Sequence, residues 1–350
     1  MQPPPPERDY WLGRLIGGRY RVESRIASGA TGTVYLGVQE PIGRRVALKI
    51  LHPTQDRRAK AEARFMREAR MLAQLEHPNT VRVYDVGREG SQAWLAMEHV
   101  DGESLQDLLK RGPVGEQGII RVLVQVCRAL TEAHELGVVH RDLKPANILL
   151  RPTEGGRTKV KVVDFGLAKT VNDGEPLTAK GLVVGTPMFM SPEQVQGRSD
   201  VDPRSDVYSL GILLYRAISG RYPFTHERTA DILLAHVSDE PQPFSEDVDV
   251  SPCMARVIAL CLVKDRDHRM PSTQALGRCL KVVDAVRAGS MTERSGMQAI
   301  ERLAGRARGS SRSRLFRRYW PVGCLVFIAV TALTGWASYE VVRYVLTTMP

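Results

Sequence analysis

The sequence predicts an α+β fold in which a small β-rich lobe precedes a larger helical one. Three observations predict it. Residues 19–50 alternate apolar and polar side chains with interspersed glycine, as strands do. From about Leu105 the apolar spacing is mostly helical, broken by one loop that carries two aspartates. At 350 residues, with 43% hydrophobic and 25% charged side chains, the chain can bury an ample core, so disorder is not its default state.

Taken in order, residues 1–18 open with four prolines and lack both a charged n-region and a cleavage site. They read as a short disordered leader rather than a signal peptide. Strands are expected over Tyr20–Ile26, Gly32–Val38 and Val46–Leu51, where alternation is clearest. Residues 57–75 have helical spacing, with Phe65, Met66, Ala69 and Leu72 on one face. Strand character returns at Val81–Val86 and Trp94–His99. This places the small lobe at 19–98 and the helical lobe at 101–286.

The formal charge of +10 belongs mostly to one segment: residues 287–318 hold nine Arg against two Glu, a local +7 that leaves +3 for the rest. No stacking-aromatic or recognition-helix pattern accompanies it, so nucleic acid is not an expected partner. The five cysteines form no CxxC pair and have no histidine cluster near them, which argues against a zinc site or a disulfide framework.

Tyr319 to Tyr339 is 21 residues without a charge, long enough to span a bilayer as a helix. Trp320 and Trp336 lie about 24 Å apart on such a helix, where interfacial anchors would sit. Arg312, Arg314, Arg317 and Arg318 precede it and only Arg343 follows, which keeps the N-terminal side cytoplasmic. The alternative is a buried C-terminal helix, because Gly323, Gly335 and the threonines dilute the hydrophobicity. On the membrane reading, 287–318 is a basic juxtamembrane linker, lying on anionic lipid or merely solvated. Residues 340–350 are then an extracytoplasmic tail too short to fold, which makes an external sensor unexpected and leaves helix-mediated homodimerisation open.

The stretch His140-Arg141-Asp142-Leu143-Lys144-Pro145-Ala146-Asn147, followed by Asp164-Phe165-Gly166, is chemically the densest. It supplies a base, a cation and two hard-oxygen metal ligands, the parts needed to move a γ-phosphoryl group to a hydroxyl. The pattern resembles the protein serine/threonine kinases, and most nearly the eukaryotic-like (Hanks-type) kinases of bacteria, from about Tyr20 to about Val286.

The resemblance implies a bilobal protein-kinase fold that uses ATP and Mg²⁺ and acts on proteins. Asp142 would accept the substrate hydroxyl proton, and Lys144 would neutralise charge on the transferring group. Asn147 and Asp164 would hold the metal. The run from Ile26 through Ala27, Gly29 and Gly32 to Val34 resembles the glycine-rich loop, with Ala27 where the first glycine usually stands. Lys49 in Val46-Ala47-Leu48-Lys49 would hold the α- and β-phosphates, oriented by Glu68. Backbone groups of Glu98 and Val100 would bind adenine, with Val34, Ala47 and Leu149 sandwiching the ring. His140 and Phe165 are expected to pack rather than react. Glu193 would pair with Arg269, and Asp206 would cap the catalytic-loop backbone.

Lys144, Thr186 in Gly185-Thr186-Pro187, and Met190-Ser191-Pro192-Glu193 point to serine or threonine residues of proteins as acceptors. Arg141 implies a phosphate from the following loop, with Thr178 the first candidate for autophosphorylation and Thr170 the second. The expectation is a membrane-anchored serine/threonine protein kinase with its catalytic domain in the cytoplasm. The rival is a pseudokinase scaffold that binds without transferring phosphate, a reading toward which only Ala27 leans.

Overall fold

Strands β1 (Leu15–Ile16), β2 (Tyr20–Gly29), β3 (Gly32–Gln39), β4 (Arg44–Leu51), β5 (Val83–Glu89) and β6 (Gln92–Glu98) form an antiparallel sheet in the order β1-β2-β3-β4-β6-β5. The computed structural model describes residues 9–29, 32–52, 66–90, 92–156, 158–165 and 187–305. Alternation in these strands separates two faces. Tyr35, Val46, Leu48, Ile50, Trp94 and Ala96 turn to one buried cluster, together with Tyr20 and Val22 of β2. Val34, Ala47 and Lys49 belong to the other face, since Val34 stands opposite Lys49, and Ala47 opposite Leu36 and Met97. The sheet curls until its ends meet: the Gly17 N–H donates to Glu89 at 3.1 Å, and the Tyr20 hydroxyl to Asp85 at 3.2 Å.

The small lobe starts earlier than residue 19: residues 9–18 of the leader expected over 1–18 fold with it, and residues 1–8 lie outside the described residues. Trp11 and Ile16 are buried in the sheet cluster, and Asp9 accepts the Tyr35 hydroxyl at 2.9 Å. The Gly13 N–H donates to Val22 O and the Val22 N–H to Arg14 O, both at 2.9 Å, so 13–16 adds an edge to β2. Of the apolar residues in this stretch only Trp11 and Ile16 are buried, at a spacing that matches neither the strand nor the helix period, so composition alone misread them.

Residues 66–72 are helical (α1), with Ala69 and Leu72 buried as their spacing predicts. Beyond the sheet come β7 (Glu103–Ser104), α2 (Leu105–Lys110), α3 (Gly115–Glu135), β8 (Ile148–Pro152) and β9 (Thr158–Val162). Strands β7-β8-β9 form a small second sheet. Then follow α4 (Pro192–Val195), α5 (Arg204–Ser219), α6 (Thr229–Ser238), α7 (Pro252–Cys261), α8 (Thr273–Arg287) and α9 (Glu293–Leu303).

Serine caps set several helix starts. Ser104 accepts from the Asp107 N–H, Ser251 from Met254 and Ser272 from Ala275, each satisfying a donor that the helix leaves unpaired. Helix α5 is buried nearly all round, as a central helix must be. Gly211 lets it approach α7, because a Cβ there would lie 2.7 Å from Cys261 Cβ.

The linker expected from residue 287 is also corrected. Arg287 closes α8 and pairs with Glu116 at 2.9 Å, and the compact unit runs to Ile300. Ile300 of α9 is fully buried, and a Cβ on Gly296 would sit 2.5 Å from Val286 Cγ2. Only Gly296 and Ile300 of α9 are buried, and its polar and charged residues outnumber its apolar ones, so the segment reads as a linker. No helix among the described residues is long and apolar enough to cross a membrane. The segment 319–339 and the tail 340–350 lie outside the described residues.

Candidate active site

The loop between α3 and β8 is built around Asp206, near the start of α5 and 1% exposed. Its carboxylate accepts the backbone N–H of His140 at 2.9 Å and of Arg141 at 3.0 Å, and the His134 Nε2–H at 2.8 Å. Burial alone would raise its pKa. The donors outweigh burial and hold Asp206 below the usual carboxylate value. Arg141 sits in the left-handed region, at φ 62°. That conformation is unfavourable for a residue with a Cβ, and it is fixed from both sides: Asp206 takes its N–H, and Gln194 Nε2 donates to its carbonyl at 2.7 Å.

His140 is fully buried, and its tautomer follows from its partners. Nε2 faces the Val163 carbonyl at 3.1 Å and must carry the proton, leaving Nδ1 to accept the Asp142 N–H at 3.3 Å. Burial lowers its pKa, and the ring lies 4.6 Å from that of Phe165. As the sequence implied, His140 packs. Phe165 in turn borders a small apolar gap lined by Leu72, Leu75, Val83, Leu95 and Met97.

Asp142, Lys144 and Asn147 converge. Lys144 Nζ lies 2.9 Å from Asp142 Oδ2, with side chains 24% and 17% exposed. The Asn147 amide donates to the Asp142 carbonyl at 2.8 Å and to Oδ2 at 3.3 Å, which turns its Oδ1 to the other side. Asp164, also left-handed at φ 62°, is ion-paired with Lys49. Lys49 is 7% exposed at its side chain, so the pair brings the small lobe's buried cation to the Asp of the second motif. Two hard oxygen donors, Asn147 Oδ1 and the Asp164 carboxylate, suit Mg²⁺ better than a soft metal. Glu68 is half-buried on α1.

In the glycine-rich hairpin, Ala27 pairs with Val34, Ser28 with Thr33 and Gly29 with Gly32, so Ala27 keeps the hairpin. Ile26 is 51% exposed. The glycines differ in kind. A Cβ on Gly32 would lie 2.4 Å from the Ile50 carbonyl oxygen, whereas on Gly29 nothing lies nearer than 3.9 Å. Gly32 is therefore required by the β3–β4 register, a structural demand that its place in the motif concealed. Val100 follows β6, and Leu149 is half-buried on β8, opposite Lys161 of β9. Thr170, Thr178 and Thr186 lie outside the described residues.

Glu193 accepts both terminal guanidinium nitrogens of Arg269, at 2.8 and 3.0 Å, and the Ser205 hydroxyl. Burial pushes its carboxyl up, and these donors more than reverse the shift, leaving it below the usual value. Sequence reasoning missed three contacts: His134 with Asp206, Gln194 with Arg141, and Lys161 with Glu98. Lys161 lies in an alternating strand, where a lysine reads as solvent-facing, so no sequence signal marked it.

The family model for the protein kinase domain matches residues 20–279. The chain is 39% identical over 290 residues to the serine/threonine-protein kinase pkn3 of Myxococcus xanthus, covering 81% of this chain and 53% of that protein. It is 40% identical over 284 residues to the serine/threonine-protein kinase PknA of Mycobacterium tuberculosis, covering 79% and 63%. It thus spans less than two thirds of these relatives. The kinase domain of Mycobacterium tuberculosis PknI shares the fold, with a TM-score of 0.61 at 24% identity over 77% of this chain and 96% of that one. The chain belongs to the protein kinase family, among the bacterial Hanks-type serine/threonine kinases.

Proposed function

We propose that this chain transfers the γ-phosphoryl group of ATP to serine or threonine hydroxyls of proteins. The convergence of Asp142, Lys144 and Asn147 carries the reading, with Lys49 and Asp164 joined beside it. Asp142 accepts the hydroxyl proton as the acceptor oxygen bonds to the γ-phosphorus and the bond to the ADP oxygen breaks. Lys144 offsets charge on the transferring group. Asn147 and Asp164 hold Mg²⁺, which when bound neutralises phosphate charge. Lys49 serves the α- and β-phosphates, and Glu68 is the residue proposed to orient it. Gly29 and Gly32 cover them, and Val34, Ala47 and Leu149 enclose adenine against the backbone of Glu98 and Val100.

Lys144, Thr186 and the Met190–Glu193 segment favour serine and threonine over tyrosine. Thr178, then Thr170, is the proposed autophosphorylation site, its phosphate received by Arg141. Residues 319–339 are proposed as a single membrane-spanning helix that holds the kinase on the cytoplasmic side and is the surface available for homodimerisation. Their length, aromatic flanks and preceding arginines support this.

Transfer of labelled γ-phosphate from Mg-ATP by the full chain, to itself and to a generic basic protein, tests the reading. Label on serine and threonine is the expected result. ATP binding without any transfer would favour the pseudokinase scaffold. Replacing Thr178 by Ala should remove loop phosphate, and full activity without any loop phosphate would contradict that site. Recovery of the chain in the membrane fraction without detergent checks the anchor.

A further inference from the structure

Lys161 lies on β9, three positions before Asp164, and is 8% exposed. Its Nζ donates to Glu98 Oε2 at 2.6 Å and to the Thr80 carbonyl at 3.0 Å. Glu98 is the last residue of β6, and its Oε2 also accepts the Arg82 N–H at 3.2 Å, while its own N–H donates to Arg82 O at 2.8 Å. Thr80 belongs to a segment that crosses onto β9. Thr80 bridges to Val162, the Val162 N–H donates to Asn79 O at 2.8 Å, and the Val81 N–H to Val162 O at 3.1 Å. The Asn79 side chain closes the crossing by donating to Val160 O at 2.8 Å and to Gln125 at 3.0 Å.

One buried ammonium therefore joins three parts: the end of β6, the 79–81 crossing, and the strand that leads to Asp164. Burying an ammonium is costly unless its partners compensate, and an apolar residue between Val160 and Val162 would suit packing alone. What the lysine adds is constraint. Glu98 is held at its carboxylate by Lys161 and Arg82, and at its N–H by the Arg82 carbonyl, so the peptide that follows has little freedom. A ligand that bonds to a preformed backbone does not have to order it. Lys161 also stands opposite Leu149, the residue assigned to the adenine floor.

We propose that Lys161 is a positioning residue for the nucleotide: its ion pair with Glu98 fixes the backbone of 98–100 for adenine and ties it to the strand bearing Asp164. This rests on the kinase reading above, which assigns adenine to that backbone.

Equilibrium ATP binding by titration calorimetry and steady-state kinetics on the full chain test it, with Lys161→Met, Lys161→Arg and, on exposed β9 surface, Lys159→Met. Lys161→Met is expected to weaken ATP binding and raise the KM for ATP, each about tenfold, with kcat within about twofold. Lys161→Arg, which keeps the charge and its donors, should recover most of the affinity, and Lys159→Met should match wild type. Unchanged ATP affinity in Lys161→Met overturns the proposal. So does a change in kcat with KM unaltered, or failure of Lys161→Met to fold, because the pair would then govern lobe motion or architecture. Wild type that binds ATP but transfers no phosphate defeats the kinase reading while leaving this binding comparison intact.

Discussion

Glu193 and Asp142 are both carboxylates beside a cation. Glu193 is 4% exposed at its side chain and meets a fully buried Arg269 through two parallel N–H bonds, with Ser205 adding a third donor. Asp142 is 17% exposed and meets both Lys144 and the Asn147 amide through one oxygen. The first carboxylate is saturated and holds α4 to the loop before α8. The second is held by a cation and an amide and stays more exposed to solvent, 17% against 4%. Charge alone therefore does not mark chemistry; a fixed carboxylate that solvent still reaches does.

The sharpest way to break this contrast is to replace Arg269 by Met. That strands a buried Glu193 charge and is expected to cost about 3–5 kcal/mol of unfolding free energy, read by urea denaturation. A loss below about 1 kcal/mol would place Glu193 among the open carboxylates. The two glycines of the hairpin supply a smaller test. Gly32→Ala should destabilise by about 1–3 kcal/mol, because its Cβ meets the Ile50 carbonyl, while Gly29→Ala should leave the urea midpoint nearly unchanged. Equal midpoints for the two variants would contradict the register argument.

Acid sharpens the same comparison by smaller steps. His236 is buried, and loss of hydration with the nearby Lys264 pushes its pKa down to about 3; His140 is lowered as well, by burial. Their folded values lie below the unfolded one, so their contribution is complete above about pH 6.5 and is lost as pH falls toward the folded values. His236 adds a slope of about 1.4 kcal/mol per pH unit between about pH 6.5 and 3, which His236→Gln should remove, and His140 adds to the loss in the same direction. Glu193 and Asp206 are also depressed, so they add a second loss as pH falls below about 4, which Glu193→Gln should reduce. A stability that holds constant from pH 7 to 4 would contradict the histidine assignment.

The sequence exposed the chemistry better than the architecture beneath it. The grouping of Asp142, Lys144 and Asn147, and of Asp164 with Lys49, follows the motifs read in the sequence, and the Asp206 and Glu193 contacts followed from the resemblance. The presence of β2–β6 came from alternation, with boundaries off by a few residues, whereas their order in the sheet did not. Trp11 and Ile16 were not legible, since the two buried residues among several apolar ones follow neither the strand nor the helix period. Helix α9 buries only Gly296 and Ile300 under a charged surface and reads as a linker. Lys161 looks like a solvated strand lysine until its partners, Glu98 and Thr80, arrive from 63 and 81 residues away. Long-range polar pairing leaves no local pattern.

The central claim is that Asp142 is chemical while its surroundings are architectural. Asp142→Asn, measured beside wild type for phosphate transfer to serine and threonine and for thermal unfolding, tests it most directly. Transfer should fall about 10²–10⁴-fold with the melting temperature within a degree or two. Undiminished transfer, or a loss that only tracks unfolding, would contradict it.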